Sequence, residues 1–370
     1  MQKRLIAIVG TRGIPNRYGG FEQCAEKLSV GLVELGYRVI VYNTHNHPWR
    51  EAEFHGVEIV RKWCPESLFG GFAHIHYDRI CLGDALRRKA DAVLEMGYQS
   101  AALSLLLYNP GRTRIIANMD GMEWQRQKWS RAQQRFIRWA EGVMVRRSHL
   151  LVADNPGIAD YLQATYGRTS TMIPYGAEPF SQVQPELLAA YGLQPQQYWL
   201  LIARMEPENN IEMVLEGYRQ SNSPLPFVVV GNCTHGYGRQ LRQRYGSDAI
   251  RFVGAIFNTP ILNNLRHHAR ACFHGHSVGG TNPALLEAMA AGALVVAHDN
   301  IFNRSVLQEH AFYFASAAEV AARIDAGEQL DGVRAAYADA GQQRIAEHYR
   351  WDSIVRQYAD LIELACAECG

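Results

Sequence analysis

The run from Gly279 to Asp299, GGTNPALLEAMAAGALVVAHD, carries the groups needed to hold a phosphorylated nucleoside. Gly279 and Gly280 lead into Thr281 and Asn282, both good N-cap types, and Pro283 takes the favoured first helical position. Leu285, Leu286 and Met289 give this helix an apolar face, and Gly292 closes it before the strand ALVVA. A glycine-rich entry of this kind presents backbone N–H groups and the positive end of the helix dipole to an anion. Glu287 lies a little over one turn in, so its carboxylate can reach a ribose hydroxyl while the first turn holds a diphosphate. The plain alternative is an ordinary loop and helix of an α/β fold.

Asp120, in RIIANMDGMEW, follows a buried strand and precedes Gly121. Its carboxylate suits orienting an acceptor hydroxyl, holding a donor hydroxyl or neutralising a cationic transition state; the other reading is a helix cap or turn Asp. Glu123 and Trp124 are expected on the acceptor side. His274 and His276 flank Gly275 just before the glycine pair, either beside a phosphate site or packed at a strand end. Near the start, RLIAIVGTRGIPNRYGGFE reads as a buried strand, a glycine-rich loop and a helix. Gly10, Gly13 and Gly19 do not fit G-x-G-x-x-G, because Arg12 occupies the second glycine position, which argues against a nicotinamide dehydrogenase. Arg12 and Tyr18 are either loop contacts to ligand or solvated side chains.

Positioning these groups requires a scaffold, and apolar runs alternating with helical stretches supply it. LIAIV, RVIVYN, AVLEM, RIIANM and LLVAD are the strands of a first half; WLLIAR, FVVVG, IRFVG, ACFHG and ALVVAH restart the pattern. A polar, proline-marked stretch places a linker near residues 175–195. The expected fold class is α/β, with two doubly wound Rossmann-like domains facing a cleft and ligand loops at the carboxyl ends of strands. At 370 residues the chain is long enough for two such cores.

Lys plus Arg number 37 against 36 Asp plus Glu, which argues against duplex DNA as the main partner. Seven scattered cysteines without a secretory signal imply a reduced cytoplasmic setting, and the Cys366–Cys369 pair alone is poor zinc chemistry. No apolar run approaches the ~20 residues of a membrane span. One stretch departs from charge balance: Arg126, Lys128, Arg131, Arg135, Arg138, Arg146 and Arg147 face Glu141 alone, interleaved with Trp129, Phe136 and Trp139. Either residues 126–147 rest on an anionic membrane surface, or the helix is solvated with its aromatics packed inward.

The Gly279–Asp299 run resembles the signature of retaining nucleotide-sugar glycosyltransferases of family 4, which reads like E-G-F-G-L-P-L-L-E-A-M. Glu287 matches the second glutamate of that family's E-x7-E motif, and Gly279 stands at the first, which usually touches the donor sugar. Pro15, Gly19, Gly20 and Glu22 match the donor-phosphate loop of these enzymes. IPYGAE at Ile173–Glu178 resembles I-P-N-G-V-D. LIARMEPENN at Leu201–Asn210 resembles G-R-L-x-P-E-K, whose arginine and lysine grip the diphosphate; Arg204 matches the arginine and Asn209 stands where the lysine is expected. HYRWDSIVRQYADLIELA resembles the family's C-terminal helix. TRGIPNRYGGFE, NMDGMEW and HGHSVGGTNP resemble a bacterial branch described as rhamnosyltransferases.

The resemblance spans nearly the whole chain and implies the GT-B architecture. Residues 1–180 would form an acceptor-side domain, 181–345 a nucleotide-sugar-binding domain, and 346–370 a helix crossing back to the first. It implies transfer of a sugar, best L-rhamnose from dTDP-L-rhamnose, to a polyprenyl-linked saccharide for O-antigen or capsule, with retention of configuration. Catalytic roles fall to Asp120, Arg204 and Glu287. Donor binding falls to Gly19, Gly20, Arg204, Asn209, Gly279, Gly280, Thr281, Asn282 and Glu287. Arg204 has an alternative, a surface ion pair with Glu206 or Glu208. With no Asp-x-Asp in the chain, no metal and no other cofactor is expected, and the setting is cytoplasmic, peripheral on the inner membrane face, with no nucleic-acid partner. A GT-B epimerase and a silent sugar-nucleotide binder are the alternatives.

Overall fold

A computed structural model describes residues 3–66 and 70–367. Cys369 lies outside the described residues, and the half-buried Cys366 thiol donates to the Asp91 carbonyl at 3.9 Å. The chain divides into two compact units, one of residues 1–125, 129–175 and 351–370, the other of residues 126–128 and 176–350.

The first unit is built on an eight-stranded sheet. Its strands are β1 (Leu5–Val9), β2 (Arg38–Thr44), β3 (Glu53–Phe54), β4 (Val57–Lys62), β5 (Ala92–Glu95), β6 (Arg114–Asn118), β7 (Leu150–Ala153) and β8 (Thr171–Met172). The order is β3-β4-β2-β1-β5-β6-β7-β8, parallel throughout except for the β3–β4 pair. Every residue of β1 is buried, as a parallel strand covered on both faces demands, which is why it reads as an unbroken apolar run. The helix Trp351–Ala367 belongs to this unit and lies against the helix Gly20–Glu34, where a Cβ on Gly31 would meet Val355.

The second unit holds β9 (Trp199–Ile202), β10 (Phe227–Val230), β11 (Ile250–Gly254), β12 (Ala271–His274), β13 (Val295–His298) and β14 (Phe312–Phe314). They run parallel in the order β11-β10-β9-β12-β13-β14. Counted from β9 this is 3-2-1-4-5-6, the doubly wound order whose direction reverses between the first and fourth strands. Loops leaving the carboxyl ends of β9 and β12 therefore flank a switch point, the usual ligand crevice of such sheets. The core beneath is aromatic: Phe273 packs on Trp199, Phe227 and Phe314 with ring centroids 6.1, 5.4 and 6.3 Å away. Each such ring contributes roughly 1.5–3 kcal/mol by burial, and Phe273 immediately precedes His274. The strand end that carries the site is thus anchored in the core.

Local signals account for the helix after β12. Asn282 caps Pro283–Ala290, and Gly292 ends it at φ 67°, with the Gly292 N–H on the Met289 carbonyl and the Ala293 N–H on the Ala288 carbonyl.

The basic stretch does not form one continuous face. Its helix spans only Arg131–Arg147, started by a capping box between Ser130 and Gln133. Arg126 and Lys128 belong instead to the second unit, where Arg126 Nη1 lies 3.4 Å from both Glu206 and Glu208, and Lys128 Nζ lies 3.6 Å from Glu206. Glu141 is buried, while Arg131, Arg135, Arg138, Arg146 and Arg147 point outward beside Trp139, which is 43% exposed. Among the described residues no helix is long and apolar enough to cross a membrane.

Candidate functional site

In the second unit, the Asn282 side chain accepts the Ala284 N–H at 2.9 Å, fixing the first turn of the helix. Gly280 and Thr281 are buried at its entry. Gly279 has φ +134°, a conformation that disfavours any side chain, and a Cβ there would sit 3.0 Å from His276 Nε2. Glu287 projects from the helix to Arg266, whose Nη2 donates to its Oε2 at 2.5 Å. Arg266 is 3% exposed and the Glu287 side chain 28%. The guanidinium also donates to Asn263 Oδ1 at 2.8 Å. Burial of that charge requires its carboxylate partner, so Arg266 fixes where Glu287 points. A carboxylate offers about four lone-pair positions, which leaves capacity for a ribose hydroxyl beside the guanidinium. Nothing in the run RHHAR marks Arg266 in the sequence, because its partner lies on another helix.

The loop after β9 is sewn to the loop after β12. Asn210 Nδ2 donates to the Gly275 carbonyl at 2.7 Å, and the Ser277 N–H and hydroxyl donate to the Glu208 carbonyl at 3.0 and 2.9 Å. A Cβ on Gly275 would run into the Asn209 carbonyl oxygen, so only glycine permits this approach. Asn209 is buried; its Nδ2 donates to the Arg204 carbonyl at 2.7 Å, and its Oδ1 lies 2.9 Å from His276 Nδ1.

Arg204 is 58% exposed, with Nη2 3.7 Å from Glu206 Oε2. A pair that long and that wet is worth little, so the guanidinium can be redirected to a ligand at small cost. Burial opposes the charge on Glu206, but Arg204, Lys128 and Arg126 outweigh it and hold the carboxyl below its ordinary range. Three cations thus converge on one carboxylate, an environment that would also accept a diphosphate. Glu208 is buried and its carboxyl is pushed up, first by burial.

Both histidines are buried and neutral at physiological pH. Burial, then Arg266 and His298, push His274 down to about 4. His276 is held well below 6.5, first by burial and then by His274, Arg126, Arg204 and His298. Among the described residues no three His, Cys, Asp or Glu side chains are grouped to hold a metal ion.

In the first unit, the helix starting at Gly20 has no side-chain cap, and the loop before it is tied by its own side chains. Asn16 Oδ1 takes the N–H groups of Gly19 at 3.2 Å and Tyr18 at 2.9 Å, and Glu22 Oε1 takes the Arg12 N–H at 3.0 Å. The Arg12 guanidinium stacks 3.7 Å from the ring centre of Tyr18, and its Nη2 is 2.6 Å from Glu66 Oε1. Tyr18 itself is 62% exposed.

Asp120 follows β6 and accepts the Tyr175 hydroxyl at 3.3 Å. Gly121 turns the chain at φ 70°, and the next helical turn begins only at Glu123, so Asp120 caps no helix. Glu123 is buried, its Oε1 accepting from Trp129 Nε1 at 3.2 Å, and Trp124 lies under the Arg138 guanidinium at 4.9 Å. Glu141 anchors this region: Tyr161, Tyr166 and Tyr98 donate to it at 2.5, 2.7 and 3.4 Å. These phenols ease the burial that raises its carboxyl above the ordinary range.

Sequence and structure comparisons bear on the fold of the chain. Residues 211–360 match the family described as "Glycosyl transferase-like", and residues 109–178 match a "Domain of unknown function (DUF1972)". The chain is similar to sucrose-phosphate synthase from Thermosynechococcus elongatus at TM-score 0.79, with 16% identity over 99% of this chain and 100% of that one. Anabaena HepE in complex with UDP-glucose matches at TM-score 0.77, with 16% identity over 97% and 99% of the two chains. For alpha,alpha-trehalose 6-phosphate synthase from Burkholderia multivorans the TM-score is 0.72, with 11% identity over 100% and 98%. No curated protein sequence matches the chain. It has the GT-B fold, and its residues 211–360, most of them in the second unit, are similar to the "Glycosyl transferase-like" family.

Proposed function

We propose that the chain is a retaining, metal-independent glycosyltransferase. It moves L-rhamnose from dTDP-L-rhamnose to a polyprenyl-linked saccharide during synthesis of a bacterial surface polysaccharide such as O-antigen or capsule. The observation that carries the nucleotide-sugar reading is the Asn282-capped helix start with Glu287 held one turn in by Arg266. A diphosphate fits the amides and dipole of the first turn, and a ribose hydroxyl fits the Glu287 carboxylate. The complex of the similarly folded HepE with UDP-glucose supports a nucleotide sugar as ligand. The rhamnose assignment rests on the resemblance of NMDGMEW and HGHSVGGTNP to the rhamnosyltransferase branch.

Transfer breaks the bond between the anomeric carbon and the diphosphate oxygen, and charge grows on the leaving group. Arg204, with Arg126 and Lys128 nearby, is the cationic group to meet that charge in place of a metal. The acceptor hydroxyl attacks the face the diphosphate leaves and gives its proton to a phosphate oxygen. Asp120 orients the reacting sugar or the acceptor, with Glu123 and Trp124 on the acceptor side. The outward arginines of the helix Arg131–Arg147 fit an anionic inner-leaflet surface, where a polyprenyl-linked acceptor resides.

The test is a donor panel of dTDP-rhamnose, UDP-sugars and GDP-sugars with a lipid-linked acceptor extract, read by product mass. A glycosylated lipid product from dTDP-rhamnose without added metal is the expected result. Sugar epimerised without an acceptor, or nucleotide bound without turnover, would overturn it.

A further inference from the structure

His276 has a defined protonation state and a defined open side. Asn209 Nδ2 donates to the Arg204 carbonyl, which fixes the amide so that its Oδ1 faces His276 Nδ1 at 2.9 Å. An amide oxygen only accepts, so Nδ1 carries the ring's proton and Nε2 carries a lone pair. Burial and the surrounding cations keep the ring neutral. The Asn209 bond uses Nδ1, and among the described residues no hydrogen bond is made to Nε2. That atom looks onto Gly279, where a Cβ would stand 3.0 Å away, at the entry to the helix Pro283–Ala290. The residue is rigidly mounted as well, since the side-chain amides of Asn300 and Asn303 each donate to its carbonyl at 3.0 Å. A buried, neutral acceptor, immobilised at three points and opening on a glycine loop, is built to receive an O–H group.

We propose that His276 Nε2 accepts a hydrogen bond from a hydroxyl of the sugar attached to the bound nucleotide, making His276 a specificity-determining residue. The inference rests on the nucleotide-sugar reading above and adds the atom that reads the sugar. A lone pair rewards a hydroxyl and repels a carboxylate or phosphate oxygen placed at the same point, so the site selects neutral sugars. The bareness of Gly279 is part of the same arrangement, because a side chain there would close the approach to Nε2.

The test compares binding of dTDP with dTDP-L-rhamnose, and of UDP with UDP-glucose, by calorimetry without acceptor, in the wild type, His276→Asn and His276→Gln. His276→Asn keeps a short amide for Asn209 but has no atom at the Nε2 position; His276→Gln places an oxygen near it. For whichever nucleotide the wild type binds, its sugar form should bind more tightly than the bare diphosphate. His276→Asn should lose roughly tenfold in affinity for the sugar form, with the diphosphate unchanged and thermal unfolding kept near wild type. His276→Gln should recover part of the loss. A sugar advantage that is absent in the wild type or intact in His276→Asn, or equal losses for sugar form and diphosphate, would overturn the role of His276. Failure of the wild type to bind any of the four ligands would instead overturn the nucleotide-sugar reading itself.

Discussion

The Arg266 guanidinium, 3% exposed, donates at 2.5 Å to the carboxylate of Glu287, and this pair joins the helices Thr259–His268 and Pro283–Ala290. Glu287 is therefore a structural counter-ion as well as a candidate ribose ligand, and substitutions must separate the two roles. Glu287→Ala strands a buried guanidinium. Because Glu287 is 28% exposed, the cost should fall below the 3–5 kcal/mol of a fully buried pair, at roughly 2 kcal/mol. Glu287→Gln still accepts from Arg266 and should retain most of that stability while weakening nucleotide binding about tenfold. Urea unfolding and calorimetry on both variants check this. Unchanged nucleotide affinity in Glu287→Gln would remove Glu287 from the site.

Arg204 presents the opposite case. Its pair with Glu206 is long and largely solvated, so Arg204→Ala should change stability by no more than about 0.5 kcal/mol. Leaving-group charge is greatest in the transition state, and the loss should appear mainly in turnover rather than in donor affinity. A rate within threefold of wild type would show that the guanidinium does not meet the diphosphate.

Much of this was legible in the sequence where the signal is local. The runs WLLI, FVVV and ACFH became β9, β10 and β12 because strands covered on both faces are apolar throughout. The Asn282 cap, Pro283 and the Gly292 stop lie within a few positions of the backbone groups they serve. Tertiary pairings carry no such mark. Arg266 meets Glu287 only once two helices pack, and Arg126 and Lys128 leave the basic stretch to meet Glu206. Asn209, read as a missing lysine, proves to be the amide that orients His276. The two-residue strands β3 and β8 are too short to show a period.

Asp120 accepts from Tyr175 and caps no helix, which removes one structural explanation for its carboxylate. Asp120→Asn keeps an oxygen for that hydroxyl, so thermal stability should hardly move. If the charge faces the reacting sugar, turnover should fall by roughly two orders of magnitude, equivalent to about 3 kcal/mol of transition-state stabilisation. Steady-state rates and unfolding temperatures on the same preparation decide it. Activity near wild type in Asp120→Asn would assign the residue to the turn before Gly121.

Buried His274 in the second unit and buried Asp78 and Glu95 in the first should contribute to pH dependence in opposite directions. In the second unit, the unfolded chain protonates its histidines below about 6.5, while folded His274 refuses the proton until about 4. The unfolded state then binds more protons, so stability falls as pH drops across that window, by roughly 3 kcal/mol for this one group. In the first unit, buried Asp78 and Glu95 have carboxyls raised above the ordinary range, first by burial. There the unfolded chain loses its protons first, so stability is full below about pH 4 and declines as pH rises through the raised folded values. Hydrogen exchange resolved by peptide at several pH values between 4 and 8 separates the units. Protection in the strands around His274 should weaken toward acid, and in the elements that bury Asp78 and Glu95 toward base. His274→Phe should flatten the first trend and Asp78→Asn the second. Parallel pH profiles in the two units, unaltered by either substitution, would mean that these buried groups are not the ones that titrate.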